Sequence, residues 1–271
     1  MWTVSSAPPD RGTPLPTRLL RGARLLTQLL RMWAGAYALA PTLRPEARVR
    51  LMRRWAAQFL RALAVEVHVQ GAPAAEATLL VANHISWLDT YAIHTVDAPR
   101  FVAKSEVAGW PVIGVIAQRF GSIFIKRGCF RSAARTVGAL AAALCRGECV
   151  AAFPEATTSD GRGLLPFHSA MFQAAVLTGA RVQPVALRYR DAYGRPSAAA
   201  PFVGDMTVAD SLCLLLGEPR LRVDVIFCPP IDPYGLSRRE LAARSRTAIA
   251  DALGLAAAEA DPNSNTVRRA A

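Results

Sequence analysis

Two apolar rhythms divide this chain. Between residues 17 and 40 the period is helical, at about 100° per residue. Leu19, Leu20, Ala23, Leu26, Leu29, Leu30, Trp33 and Tyr37 fall on one side, and Arg18, Arg21, Arg24 and Arg31 on the other. Leu25 alone breaks the division. After Pro45 a second amphipathic helix is predicted over 46–63, setting Leu51, Trp55, Phe59 and Leu63 among Arg50, Arg53, Arg54 and Arg61. Beyond Gly71 the rhythm shortens to apolar runs at 77–82, 101–103, 123–126, 149–153, 182–189 and 221–227, which read as strands. Helical stretches at 110–120, 131–146 and 169–178 lie between them. This alternation predicts an α/β fold, a mixed central sheet flanked by helices and preceded by an amphipathic helical pair. The expected limits are a disordered 1–16, a helical docking segment 17–64, a sheet domain 65–255 and a flexible tail 256–271.

Charge sharpens the reading of the first quarter. Residues 1–65 hold eleven arginines against Asp10 and Glu46, so most of the chain's net charge of +12 sits there. The longest uncharged run in that segment, 32–43, is interrupted by Pro41 and falls short of the roughly 20 residues that span a bilayer as a helix. Tryptophan and arginine along an amphipathic helix suit the headgroup layer, where indole and guanidinium both find partners. The segment is expected to lie on a membrane; the alternative is that both helices only pack on each other or on the core. The apolar fraction of 52% and mean hydropathy of +0.21 agree with membrane association, although alanine supplies much of both. A nucleic-acid module accounts for the charge but not for the continuous apolar face. Cys129, Cys145, Cys149, Cys213 and Cys228 form no CxxC pair and read as reduced packing residues. The polar, proline-rich start lacks the pattern of a cleaved signal peptide, which favours the cytoplasm.

Candidate chemistry gathers where apolar runs end. Asn83, His84, Ile85, Ser86, Trp87, Leu88 and Asp89 directly follow a strand, and a carboxylate beside an imidazole fixes its tautomer and equips it to take a proton from an alcohol. A second strand exits into Phe153, Pro154, Glu155, Ala156, Thr157, Thr158, Ser159, Asp160 and Gly161, a turn whose donors suit a phosphate or carboxylate headgroup. Between them Lys126 and Arg127 close the run from Gly121, two cations able to meet an anion. Val182, Gln183, Pro184, Val185, Ala186 and Leu187 form a proline-containing buried strand with no chemistry of its own. No Gly-x-Ser-x-Gly elbow supports a serine hydrolase, and His68, His94 and His168 show no metal-ligand spacing with His84.

In this order the four segments resemble the glycerolipid acyltransferase family that includes lysophosphatidate acyltransferases, over residues 79–187. The matching blocks are Asn-His-x4-Asp at 83–89, Gly-x-x-Phe-Ile-x-Arg at 121–127, Phe-Pro-Glu with its following threonine at 153–157, and the proline-containing strand. The resemblance implies His84 as general base, Asp89 as its orienting partner, and Arg127, Glu155, Thr157, Thr158 and Ser159 near the acceptor headgroup. It implies direct transfer of a fatty acyl group from an acyl carrier protein or coenzyme A thioester to a lysolipid hydroxyl, with no bound cofactor and no metal. A peripheral site on the cytoplasmic face of the inner membrane is expected.

Two departures stand out. Ala156 occupies the family's usual glycine, which strains the turn if φ is positive there, and Thr158 stands where many lysophosphatidate acyltransferases carry a phosphate-binding arginine. The run 157–161, with Gly204, Asp205, Met206 and Thr207, looks like the branch that acylates lyso-ornithine lipid, whose zwitterionic headgroup has no phosphate. Both acceptors stay open, as does a catalytically inactive membrane-surface lipid-binding protein of the same fold.

Overall fold

A computed structural model describes residues 12–38, 42–110, 112–125 and 130–255. Its centre is a seven-stranded sheet built from β1 (Val65–Gln70), β2 (Thr78–Ala82), β3 (Arg100–Lys104), β4 (Ile123–Ile125), β5 (Val150–Ala152), β6 (Arg181–Arg190) and β7 (Leu221–Phe227). The spatial order is β1-β7-β6-β2-β5-β3-β4, and every pair is parallel except β6 with β7. The mixed sheet expected from the sequence is therefore present. The one strand missing from the predicted runs is β1, whose apolar positions Val65, Val67 and Val69 alternate with Glu66, His68 and Gln70. A sheet-edge strand half open to water needs that alternation, not a continuous apolar run.

Strand β2 lies at the middle and is buried along its whole length. Its side chains alternate between two cores. Leu80 and Ala82 meet α1 (Leu15–Ala38), α2 (Pro45–Ala62) and α3 (Leu88–His94), while Leu79 and Val81 meet α5 (Phe130–Cys145) and α6 (Gln173–Thr178). The short α4 (Ile113–Arg119) and α7 (Val208–Gly217) join the first core through Ile116 and Leu215, and α8 (Arg238–Leu253) joins the second through Leu241 and Ala242. Pro184 sits inside the central β6, where a missing amide would leave a gap in the ladder. Pairing with β7 begins one residue later, at Val185 with Phe227, and the carbonyl of Pro184 accepts from Cys228 N at 2.9 Å.

The N-terminal helices are part of this packed body. Helix α1 starts at Leu15, two residues before the expected boundary, and Thr13 N donates to the carbonyl of Gly217 at 2.9 Å. Met52, Trp55, Ala56, Phe59 and Leu60 of α2 are buried in the same core as the sheet. Helix α1 carries two apolar faces where the sequence suggested one. Leu25, the residue that broke the pattern, is buried with Gln28, Met32, Gly35 and Ala36 against the core. Leu19, Leu26, Leu30 and Tyr37 are 65%, 60%, 54% and 64% exposed on the far side, with Leu15 and Trp33 in the same stripe. Arg21 is drawn inward to the carbonyls of Glu218 (2.6 Å) and Pro219 (2.8 Å), at the negative end of α7. No helix among the described residues is long and apolar enough to cross a membrane.

Candidate active site

The site forms where β2, β5 and β6 end at the same edge of the sheet. Asn83 extends the ladder beyond the last residue of β2: its Nδ2 donates to the carbonyl of Leu187 at 3.0 Å, and its Oδ1 accepts from Leu187 N at 2.8 Å. A buried amide side chain with both groups satisfied replaces a backbone pair, and the chain is released into the turn that carries His84.

Asp89 lies in the first turn of α3 and is fully buried. Its Oδ2 accepts from the amides of Ile85 (2.8 Å) and Ser86 (3.0 Å) and faces His84 Nδ1 at 2.8 Å. Its Oδ1 accepts from the hydroxyl of Tyr189 at 2.8 Å. A carboxylate receiving two amides is an acceptor, so the proton between it and His84 rests on Nδ1 and leaves the Nε2 lone pair available. The imidazole is held flat as well: its ring lies 3.9 Å from that of Phe153, 10° from parallel. His84 keeps 21% of its side chain open to solvent while Asp89 keeps none, so the imidazole is the member of the dyad that a substrate can reach.

The turn after β5 wraps this dyad. Ser159 donates twice to the carbonyl of His84, from N at 2.8 Å and from Oγ at 3.2 Å. Thr158 Oγ1 donates to the carbonyl of Phe202, whose own amide donates to the carbonyl of Ile85 at 2.9 Å. The loop between β6 and α7 is thereby strapped to both motif segments. Gly161, at φ +74°, leaves room for Ile85: a Cβ there would come within 2.9 Å of Ile85 Cδ1. Ala156 does adopt a positive φ, 61°, so the strain expected from alanine in the glycine position is present.

Glu155 is 3% exposed and faces the dyad. Neither carboxyl oxygen closes a hydrogen bond of ordinary geometry among the described residues, although backbone groups of His84 and Leu165 lie close enough to favour the charged form. Burial dominates and pushes the carboxyl up to about 8, with the charge of Asp89 adding to the rise and Arg246 opposing it. Thus the site holds one carboxylate saturated with donors and one carboxyl lacking them.

Of the residues expected in the site, His84, Asp89, Glu155, Thr158 and Ser159 are brought together, and Thr157 stands exposed on the same turn. The hydroxyl protons of Thr158 and Ser159 are committed to backbone carbonyls. Arg127 and Lys126 lie outside the described residues. Sequence reasoning missed Tyr189 and the stacking role of Phe153. It also assigned no chemistry to the proline-containing strand, whereas β6 delivers Tyr189 to the dyad. The available signal was parity: Tyr189 shares a face with Val185 and Leu187, and a tyrosine pointing into a core needs a partner for its hydroxyl.

Residues 64–188 match the acyltransferase family model. The chain is 38% identical over 242 residues to a lyso-ornithine lipid O-acyltransferase of Pseudomonas aeruginosa, spanning 87% of this chain and 93% of that protein. The chain belongs to the acyltransferase family. This acyltransferase is also 40% identical over 186 residues to a 1-acyl-sn-glycerol-3-phosphate acyltransferase of Neisseria meningitidis, covering 68% of this chain and 72% of the relative. In fold it is similar to the crystal structure of the 1-acyl-sn-glycerophosphate acyltransferase of Thermotoga maritima, with a TM-score of 0.61 at 20% identity over 89% of this chain and 98% of that one.

Proposed function

We infer that this acyltransferase moves a fatty acyl group from a thioester to the hydroxyl of a lysolipid, with His84 as general base. The observation that carries the reading is the His84 Nδ1 to Asp89 Oδ2 contact of 2.8 Å in an imidazole that stays partly open to solvent while its carboxylate partner is buried. Nε2 takes the proton of the acceptor hydroxyl as its oxygen attacks the thioester carbonyl. The tetrahedral intermediate then breaks its C–S bond, and the imidazolium returns the proton to the departing thiolate of coenzyme A or of an acyl carrier protein. Asp89 stabilises the imidazolium throughout. Arg127, Glu155 and Thr157 are assigned to the acceptor headgroup, while Thr158 and Ser159 shape that side of the site through their backbone bonds.

Both acceptor classes are represented among the relatives, as lyso-ornithine lipid and 1-acyl-sn-glycerol-3-phosphate O-acyltransferases. Thr158 brings no cation for a phosphate monoester, which favours the zwitterionic acceptor. The exposed stripe of α1, with the exposed Arg24 and Arg31 on the same helix, supports peripheral docking of the enzyme on a membrane surface, which we propose to be the cytoplasmic face of the inner membrane.

Acyl transfer by the purified protein in mixed micelles, with lysophosphatidate and lyso-ornithine lipid offered separately and acyl carrier protein or coenzyme A thioesters as donors, tests this reading. Turnover that is lost in His84→Ala supports it, and the preferred pair of substrates identifies acceptor and donor. Absence of turnover with every pair points instead to the inactive lipid-binding protein.

A further inference from the structure

Tyr189 has no place in the four sequence blocks, yet its hydroxyl occupies the second oxygen of Asp89 at 2.8 Å, and both side chains are almost fully buried. It reaches that oxygen from β6, one hundred positions along the chain, while the other three donors, His84, Ile85 and Ser86, all come from the turn that precedes Asp89. The geometry points to Tyr189 as a positioning residue that sets the proton affinity of His84 by sharing the charge of Asp89. The inference rests on the proposed role of His84 as base.

The physical reason is charge concentration. A carboxylate with donors on both oxygens spreads its charge over four bonds, and each donor weakens its pull on the imidazole proton. Deleting the phenol hydroxyl leaves Oδ1 buried without a donor, so the remaining charge leans on the His84 side and favours the imidazolium. Burial raises the phenol of Tyr189 well above its usual range, so it stays a donor at any working pH.

The other groups around the dyad are few. Glu155 faces it from the turn after β5, with Arg246 of α8 behind. His94 of α3 is separated from it by Phe101 and Phe153, and burial pushes that imidazole down to about 4. Helix α2 meets α3 through Phe59, which stacks on Tyr91 at 4.2 Å. Tyr91 therefore provides a matched comparison, a buried tyrosine of the same core without a bond to Asp89.

Nuclear magnetic resonance titration of the histidine side chains in the full-length protein in micelles, with the His84 signal assigned by its loss in His84→Ala, tests the assignment directly. In Tyr189→Phe the His84 midpoint should rise by about half to one pH unit, and the acid limb of the pH profile of kcat/KM should move with it. Tyr91→Phe should leave both in place. Tyr189→3,5-difluorotyrosine, a stronger donor that keeps the ring, should move the midpoint the opposite way and serves if Tyr189→Phe does not fold. An unmoved His84 midpoint in the Tyr189 variants, or an equal movement in Tyr91→Phe, overturns the inference. Turnover retained in His84→Ala would instead remove the general-base reading, and the titration still reports on Tyr189 because it reads protonation, not transfer.

Discussion

The indole of Trp55 lies against the backbone of α1 at Gly35, so near that a Cβ on Gly35 would sit 2.6 Å from Trp55 Cη2. This contact locks the two N-terminal helices together, and Trp55 in turn packs edge-on against Phe120 at 5.6 Å. Gly35→Ala should therefore destabilise the whole protein by about 1–3 kcal/mol through overpacking. Thermal unfolding checks this, with an expected fall in Tm of several degrees; an unchanged Tm would mean that α1 can move off Trp55 at no cost.

The two faces of α1 separate stability from docking. Replacing Leu26, Leu30 and Trp33 together by serine removes three exposed apolar side chains that lie outside the buried core. Each is worth on the order of 1.5 kcal/mol or more when buried in a membrane interface. Flotation with anionic liposomes should fall at least about tenfold while Tm stays within a degree or two. Met32→Ser on the inner face should do the reverse, lowering Tm and sparing flotation in the folded fraction.

Glu155 makes stability depend on pH in a predictable direction. Its folded-state value of about 8 lies above the ordinary 4.5, so the fold favours the protonated carboxyl. The contribution is fully present below about 4.5 and is lost as pH rises through 8. Glu155→Gln should flatten that dependence, gaining roughly 2–4 kcal/mol over the wild type at pH 9 relative to pH 5. Urea unfolding at the two pH values checks this, and parallel curves for both proteins would show that the carboxyl ionises without penalty.

Ala156→Gly relieves a left-handed residue at φ 61°. Stability should rise by about 0.5–1 kcal/mol, less than the full left-handed penalty because glycine also loosens the unfolded chain. If the strained turn holds Glu155 and Thr157 in their working positions, turnover falls as stability rises; stability that fails to rise would show the backbone to be held there by its neighbours at no strain.

The legible parts of this enzyme were those whose partners are close in sequence. His84 and Asp89 share one turn, so both fall within a single sequence block whose order with the other three pointed to a dyad, and the continuous apolar run before Asn83 located β2. Tyr189, Phe202 and Phe153 reach the same turn from distant segments, and no local pattern encodes such meetings. The inner face of α1 was hidden for another reason. Gly35 and Ala36 carry little hydrophobic signal, yet small residues are what permit close helix contact, so the stronger leucine stripe drew the assignment outward.

The amide of Asn83 acts as a final rung that belongs to no strand. Because it grips both backbone groups of Leu187, the height at which His84 leaves the sheet is referenced to β6, the same strand that supplies Tyr189. Base and carboxylate partner are thus gauged from one common datum. A small slide of β2 along β6 would carry the whole turn, His84 and Asp89 together, past Tyr189 and break the 2.8 Å bond from its hydroxyl to Asp89 Oδ1, so the Asn83 rung guards the link between the dyad and its distant donor.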